Sequence, residues 1–422
     1  MRDHPDPWAP LRLRSGAILR NRFVLAPMTT NASNPDGSVT DDELSYLARR
    51  GATEFGAAIT SCAYIHEDGR AWQGIGATGA EHLTSLTAVA RAMRGTGGLG
   101  ILQIYDGGRI AIPDLVGPAG IRGPSAVPSL RPDATVPREL AGDEIPELLE
   151  AFGRAAALGV AAGFDGIEIH GANHYLIHQF FSPRANRRTD RWGGGLDERM
   201  RFPLAVARTV RAAIGREITL GFRVTPFESE PGGYTLDDAA HLAHRLAEDV
   251  DYVHISMDDF RRNSPQPEDR DWTKPRAAVE SRNPIPAIAA AVGGRSAVVA
   301  SGGIRTLDDA EDAMAAGADL VAVGRAALID PEWVDKVKSG AHHSIRTQLP
   351  ADHDEIAAAL TIPPRMVRYL LSRPGWIQRA GQDVRTCTPP PRRPPGRRGE
   401  KDRDEQVGRG WSIEVLTAVQ GG

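Results

Sequence analysis

Eight short apolar runs alternate with longer amphipathic ones along most of this 422-residue chain, and that alternation limits the fold more than any other feature. The runs are Phe23–Met28, Ala57–Cys62, Gly98–Tyr105, Phe164–His170, Ile218–Val224, Tyr252–Ser256, Ala297–Ser301 and Leu320–Val323. Several are nearly continuous in apolar residues, as parallel strands covered on both faces require. The spacing predicts helices over Asp41–Glu54, Glu81–Met93, Asp143–Ala162, Asp197–Ile214, Leu236–Glu248, Arg276–Val292, Leu307–Ala316 and Pro331–Ser339. Some open on an acidic or hydroxyl residue and stop near glycine, as from Asp143 to Gly163 and from Thr306 to Gly317. Eight strand–helix units predict an α/β fold, a (β/α)8 TIM barrel, although the count alone leaves a doubly wound sheet open.

The barrel is expected over residues 1–342, with Leu11–Leu19 as a hairpin plugging its lower mouth. A small helical extension is expected over 343–383, where Ile362-Pro363-Pro364 opens a helix. Residues 384–422 begin rich in Pro, Arg and Gly, a composition that supplies no core, and are expected to form a solvated tail. A net charge of −4 gives no electrostatic reason to expect nucleic acid. Two cysteines, Cys62 and Cys387, support neither a disulfide framework nor a four-cysteine cluster within one chain. Met1 to Ser15 has no apolar run of the signal-peptide kind, and no later stretch is apolar enough to span a membrane. A cytoplasmic protein is the default expectation, and a homo-oligomer stays open.

In a TIM barrel, function gathers at the C-terminal ends of the strands. Here those ends carry Ala26-Pro27-Met28-Thr29, Cys62, Gln103, Tyr105, Glu168, the run His170 to Tyr175, Arg223, Ser301-Gly302-Gly303 and Gly324-Arg325. Amides, hydroxyls, a histidine and two arginines are unusual company for apolar strands. Ser301-Gly302-Gly303 and Gly324-Arg325 follow the seventh and eighth strands, where this fold commonly grips phosphate. Glycines let backbone N–H groups approach the oxygens, and Arg325 can add a charge-assisted contact. Either loop alone reads as a structural turn; together they favour a phosphate, whether of a flavin or of a sugar.

His170 and Asn173 lie three residues apart after the fourth strand and can hold a carbonyl or phenolate oxygen. Tyr175 follows as a proton donor. His170, His174 and His178 are spaced four apart, but no carboxylate or cysteine joins them at recognisable spacing, so no metal is expected. For His174 and His178, histidines satisfied inside a polar loop are an equal reading.

These residues carry a family resemblance. Asn21-Arg22-Phe23-Val24-Leu25-Ala26-Pro27-Met28-Thr29 resembles the opening strand of the Old Yellow Enzyme family of flavoproteins. His170 through Asn173 and Tyr175 to Gln179-Phe180-Phe181-Ser182-Pro183 is similar to that family's substrate loop. The likeness continues through Asn186 to Gly194 and Asp197 to Phe202, and covers about residues 8 to 340. His174 stands where glycine is usual, and Trp192 where tyrosine is usual.

The resemblance implies an ene-reductase that takes electrons from NADH or NADPH through FMN and reduces the C=C bond of a small enone. Ala26, Pro27, Met28, Thr29, Cys62, Gln103, Arg223, Ser301, Gly302, Gly303, Gly324 and Arg325 would hold FMN, with Arg223 beside N1 and C2=O. Cys62 would be a small buried residue, not a nucleophile. His170 and Asn173 would hold the substrate oxygen, Tyr175 would protonate the α-carbon, and Tyr105, Asn31 and His174 would shape the pocket. Isomerisation or desaturation at the same site, and flavin binding without turnover, are the alternatives.

Overall fold

The structure, a computed structural model, describes residues 4–229, 232–264, 282–373 and 375–381. All eight expected strands form. They are β1 (Phe23–Leu25), β2 (Ala57–Ile59), β3 (Leu99–Tyr105), β4 (Gly166–Gly171), β5 (Thr219–Val224), β6 (Tyr252–Ile255), β7 (Ala297–Ser301) and β8 (Leu320–Val323). Each pairs in parallel with its chain neighbours, and β8 returns to β1 through Val321↔Phe23 and Val323↔Leu25. The sheet is therefore closed, a TIM barrel and not a doubly wound sheet.

The surrounding helices follow the expected order. Thr235 and Thr306 cap their helices through reciprocal capping boxes with Asp238 and Asp309. One boundary is corrected: of the helix expected from Arg276, residues 276–281 lie outside the described residues, and the described helix runs Pro284–Val292. Asn283 caps it by accepting from Ile285 N–H at 2.9 Å, and Pro284 sits at the first position, where its missing N–H costs nothing. Two short helices were not legible from periodicity, Leu176–Phe181 after β4 and Arg325–Ile329 after β8.

Two hydrophobic cores frame the barrel, and a third, smaller cluster gathers Cys62, Trp72, Tyr105 and Tyr175 beside the strand ends. Strand faces and helices enclose the larger core, which includes Phe152, Ile167, Phe202 and Val253. Inside the barrel's lower half, Leu13, Leu19, Val24, Ile59, Ile101, Tyr252, Val299 and Leu320 pack together. Leu13 and Leu19 come from the N-terminal hairpin, whose strands Leu11–Arg12 and Ile18–Leu19 pair antiparallel. After the barrel, helices His353–Leu360 and Pro364–Leu371 place Ile356, Leu360, Met366 and Val367 in the larger core. Ile377 joins them, and Leu349 exchanges backbone hydrogen bonds with Gln378 and Ala380, both at 2.9 Å. The expected tail over 384–422, with Cys387, lies outside the described residues. Among the described residues, no helix is long and apolar enough to cross a membrane.

Candidate active site

The strand ends surround an open cavity of about 370 Å³. It is lined by Pro27, Met28, Thr29, Cys62, Gln103, His170, Asn173, Tyr175, Arg223 and Trp376. Nine of these ten were expected from the sequence; Trp376, from the C-terminal extension, was not. The loop carrying Thr29 is anchored from below, because buried Glu43 accepts from Thr30 Oγ1 and from Ser33 Oγ.

Register sets the floor of the cavity. His170, Arg223 and His254 are paired across β4, β5 and β6, and Gln103 pairs with Glu168 across β3 and β4. Paired residues on parallel strands share a face, so these side chains converge. Glu168 accepts from Gln103 Nε2 at 2.6 Å and meets His254 Nδ1 at 3.0 Å. Burial pushes the Glu168 carboxyl up, but His254, Arg223 and Gln103 outweigh it and hold the group below the ordinary carboxylate range. Arg223 is 3% exposed, and its Nε and Nη2 have no hydrogen-bond partner among the described residues. Those two N–H groups form the side-on fork of the guanidinium, which suits two adjacent acceptors. A buried guanidinium with two N–H groups left without acceptors is costly unless a ligand meets them.

Above this floor stand the donors of the β4 loop. Burial holds the buried His170 well below its ordinary pKa, with Arg223 acting in the same direction, so the ring is neutral. Its Nδ1 accepts from Ala172 N–H at 3.3 Å, which assigns the ring proton to Nε2. Asn173 adopts φ +55°, where asparagine is well tolerated, and its N–H donates to Thr225 Oγ1 at 2.9 Å. Ser256 Oγ donates to Asn173 Oδ1 at 3.0 Å, leaving the amide's Nδ2 N–H groups as its donors. Tyr175 is 1% exposed, and its ring stands edge-on to His170, centroids 4.6 Å apart. Trp72 Nε1 donates to Tyr175 Oη at 2.6 Å, fixing the hydroxyl by its acceptor side. Burial pushes the Cys62 thiol up to about 12 despite a hydrogen bond with Tyr175, so it stays a protonated, small residue.

The loops after β7 and β8 meet at the rim. Gly302 and Gly303 take φ +99° and +73°, in the left-handed region that favours glycine. A Cβ on Gly302 would meet Met257 O at 2.4 Å, so any larger residue would force the β6 and β7 loops apart. Ser301 Oγ donates to Ile255 O at 2.7 Å, and Arg325 Nη2 to Asp258 O at 2.8 Å. Burial and the nearby cation of Arg305 hold the Arg325 pKa down. Two guanidiniums beside a glycine turn suit a phosphate dianion. Arg305, in the loop after β7, was missed from sequence because only the strand ends were read. The donors therefore fit FMN at both ends: the Arg223 fork for adjacent ring acceptors, the glycine turn and arginines for the phosphate.

Three expected pocket residues stand elsewhere. Tyr105 is fully buried behind Tyr175, centroids 4.9 Å apart, and its Oη accepts from Ala71 N–H at 3.1 Å. Asn31 braces the next loop, its Oδ1 accepting from Gln73 N–H at 3.0 Å. His174 takes φ +60°, which explains why glycine is usual there, and turns toward His178, ring centroids 4.5 Å apart. Glu228 completes this trio from fifty residues downstream of His178, so spacing did not show it; ligand atoms of the three lie within 4.8 Å of one another. The carboxylate is met by His178 Nε2 at 3.1 Å, by Ser182 Oγ at 2.7 Å and by Tyr234 N–H at 3.2 Å, and His174 Nδ1 lies 3.9 Å from it. Trp192 packs edge-on to Phe202, centroids 6.2 Å apart.

Comparison with known proteins adds four findings. The model of the NADH:flavin oxidoreductase / NADH oxidase family matches residues 8–344. The chain is 34% identical over 374 residues to the probable NADH-dependent flavin oxidoreductase YqiG of Bacillus subtilis (strain 168), covering 87% of this chain and 96% of that protein. It is 38% identical over 343 residues to an NADH:fumarate oxidoreductase of Klebsiella pneumoniae (strain 342), covering 78% of this chain and 36% of that longer protein. Among solved structures, morphinone reductase matches with a TM-score of 0.67 at 27% identity, over 84% of this chain and 94% of its own.

Proposed function

The chain belongs to the NADH:flavin oxidoreductase / NADH oxidase family, and we propose that it is an ene-reductase, reducing the C=C bond of small α,β-unsaturated carbonyl compounds with NADH or NADPH. FMN, when bound, supplies the two-electron chemistry that links nicotinamide to alkene. The pair of neutral donors facing the cavity carries the reading. His170 presents Nε2–H and Asn173 presents Nδ2–H, and holding FMN needs neither. Such donors stabilise an oxygen on which negative charge grows, as the carbonyl oxygen of an enone does during reduction.

The remaining residues have distinct work. Arg223 offers its fork to the pyrimidine edge of FMN, and Gln103 is oriented toward the same ring by Glu168. Gly302, Gly303, Gly324, Arg325 and Arg305 hold the phosphate. Tyr175, oriented by Trp72, gives a proton to the α-carbon, and Cys62 fills space beside it.

Tyr175→Phe tests the reading in anaerobic stopped-flow experiments on the FMN-loaded protein. Reduction of the flavin by NADH or NADPH transfers no proton to carbon and should keep its rate. Reoxidation by a weakly activated enone should slow by roughly 10²–10⁴-fold, the usual worth of a positioned acid. Equal slowing of both half-reactions would make Tyr175 a packing residue. No enone-dependent reoxidation in the unmodified protein would remove the ene-reductase reading itself.

A further inference from the structure

Outside the FMN contacts, the region beside Tyr175 holds two further guanidiniums, and among the described residues no carboxylate pairs with either. Arg131 donates Nη1 to Ile110 O at 3.3 Å, while its Nε and Nη2 are buried with no hydrogen-bond partner among the described residues. Arg373 is 6% exposed, and its Nη2 is likewise buried with no partner among the described residues. Aromatic rings tie Arg373 to the cavity, and Arg131 lies near Tyr369 and Tyr175. Arg373 lies 4.3 Å from the centroid of Tyr369 and 5.5 Å from that of Trp376, which lines the cavity. Tyr369 stands edge-on to Trp72, centroids 5.5 Å apart, and Trp72 holds the Tyr175 hydroxyl.

The electrostatics of the wall are one-sided. Burial lowers the Arg131 pKa, nearby Tyr175 and Tyr369 oppose that, and Arg373 lowers it further. Burial does the same to Arg373, against Tyr369 and Tyr175. Among the described residues, no acidic group figures among the charges acting on either. Two neighbouring cations with unpaired donors are an expensive arrangement unless an anion joins them. The unpaired atoms also select the anion's shape. Nε and Nη2 of Arg131 are the side-on fork that takes a planar carboxylate with two parallel hydrogen bonds, while Arg373 adds a third donor.

Building on the ene-reductase reading, we infer that Arg131 and Arg373 form a carboxylate-recognition site beside the cavity, so that the favoured substrate is an unsaturated carbonyl compound that also carries a free carboxylate. The carbonyl oxygen goes to His170 and Asn173, and the carboxylate goes past Trp376 to the two arginines. This divides the labour between activation and selection. The oxyanion donors act on any enone, and the arginines choose among enones.

The test compares 4-oxopent-2-enoate with its methyl ester, which keeps the same enone and removes the charge. Two readouts are taken on the FMN-loaded protein: the dissociation constant by calorimetry and kcat/KM with NADH or NADPH. The unmodified protein should prefer the acid by about 10- to 100-fold in both, the range expected for a charged hydrogen-bonded contact. In Arg131→Met and Arg373→Met, which keep the apolar stem, that acid-to-ester ratio should collapse toward one. Equal affinity for acid and ester in the unmodified protein overturns the inference without needing any variant. So does a ratio that survives both substitutions. A raised KM for the nicotinamide with an unchanged ratio would reassign the arginines to the donor's phosphates, and also overturns it. Tighter binding of the acid with no turnover of either compound keeps the carboxylate site and removes the ene-reductase reading instead.

Discussion

Around Tyr252 the barrel interior changes character. Below, Leu13, Leu19, Val24, Ile59, Ile101, Val299 and Leu320 fill the space, and the N-terminal hairpin seals it. Above, the same strands carry Gln103, Glu168, His170, Arg223 and His254. The lower half is ordinary core, where burial of apolar surface stabilises at about 25 cal/mol per Å² and shape decides the rest. The upper half keeps Arg223 Nε and Nη2 and His254 Nε2 without hydrogen-bond partners among the described residues, and holds Asn173 and His174 at positive φ. A chain selected for stability alone would not retain such features together. The comparison teaches where each end invests its side chains: the lower end in stability, the upper end in a ligand it is shaped to receive.

If that division holds, substitutions at the two ends should affect different measurements. The largest effect is expected from His170→Ala combined with Asn173→Ala. Losing one such donor costs about 2.7–4 kcal/mol of transition-state stabilisation, and the pair need not add. Enone reduction should therefore fall by at least a hundredfold, while the melting temperature and FMN content change little. Melting curves, flavin absorbance and kcat/KM, taken on one preparation, decide it; loss of FMN in step with activity would make these residues part of the flavin's support.

Leu19→Ala is the mirror experiment. Leu19 is 2% exposed in the lower core. A Leu→Ala change in a core costs about 2–5 kcal/mol, and a surface hairpin that can settle into the gap belongs near the lower figure. Chemical denaturation should show that loss, with kcat per FMN-bearing molecule unchanged. A large fall in kcat would mean that the hairpin end communicates with the site, and the division of labour would fail.

The sequence made one of these ends far more readable than the other. Barrel topology puts chemistry at strand ends, so Gln103, His170, Arg223 and Gly302 stood out as polar or flexible residues next to apolar runs. The alternation inside β4 also carried Glu168 in phase with His170, a signal that could have exposed the buried Glu168–His254 contact at 3.0 Å. Trp376, which lines the cavity, and Arg373 and Arg131, which lie beside it, had no such marker. They belong to a long loop and to the C-terminal extension, and only tertiary packing brings them near the site. The extension itself was read by helical pattern, which ends before Ile377 and the backbone pairing of Leu349 with residues 378 and 380. Periodicity sees the helices of such a segment and misses the short extended stretch that fastens it.

The smallest expected effect concerns His174, at the edge of the upper half. Burial, with the neighbouring His178 acting in the same direction and Glu228 opposing it, holds its pKa down to about 3. Arg109 and Arg184 add further positive charge around the ring. The unfolded chain has no such neighbours, so its histidine titrates near the ordinary 6.5. Between those two values the unfolded chain takes up a proton that the folded protein refuses. Stability is therefore complete above pH 6.5 and is lost progressively as pH falls toward 3. Glu228 acts in a lower window. Burial would raise its pKa, but His178, His174 and Ser182 hold it at about 2 against an ordinary 4.5, so its contribution is lost only below pH 4.5. His170 and His254, whose values are also lowered, act in the same interval from pH 6.5 to 4.5, while the buried Glu43 carboxyl, which burial raises, acts above pH 4.5 in the opposite sense. His174→Asn keeps a residue that tolerates positive φ and removes one titrating ring. At pH 5 the native His174 should cost about 2 kcal/mol at most relative to pH 7, from one and a half pH units at 1.36 kcal/mol each. Denaturation midpoints at pH 7 and pH 5 should therefore separate more in the unmodified protein than in the variant. Parallel losses in both would show that His174 takes up its proton in the folded state, which would place it in water and not in the trio with His178 and Glu228.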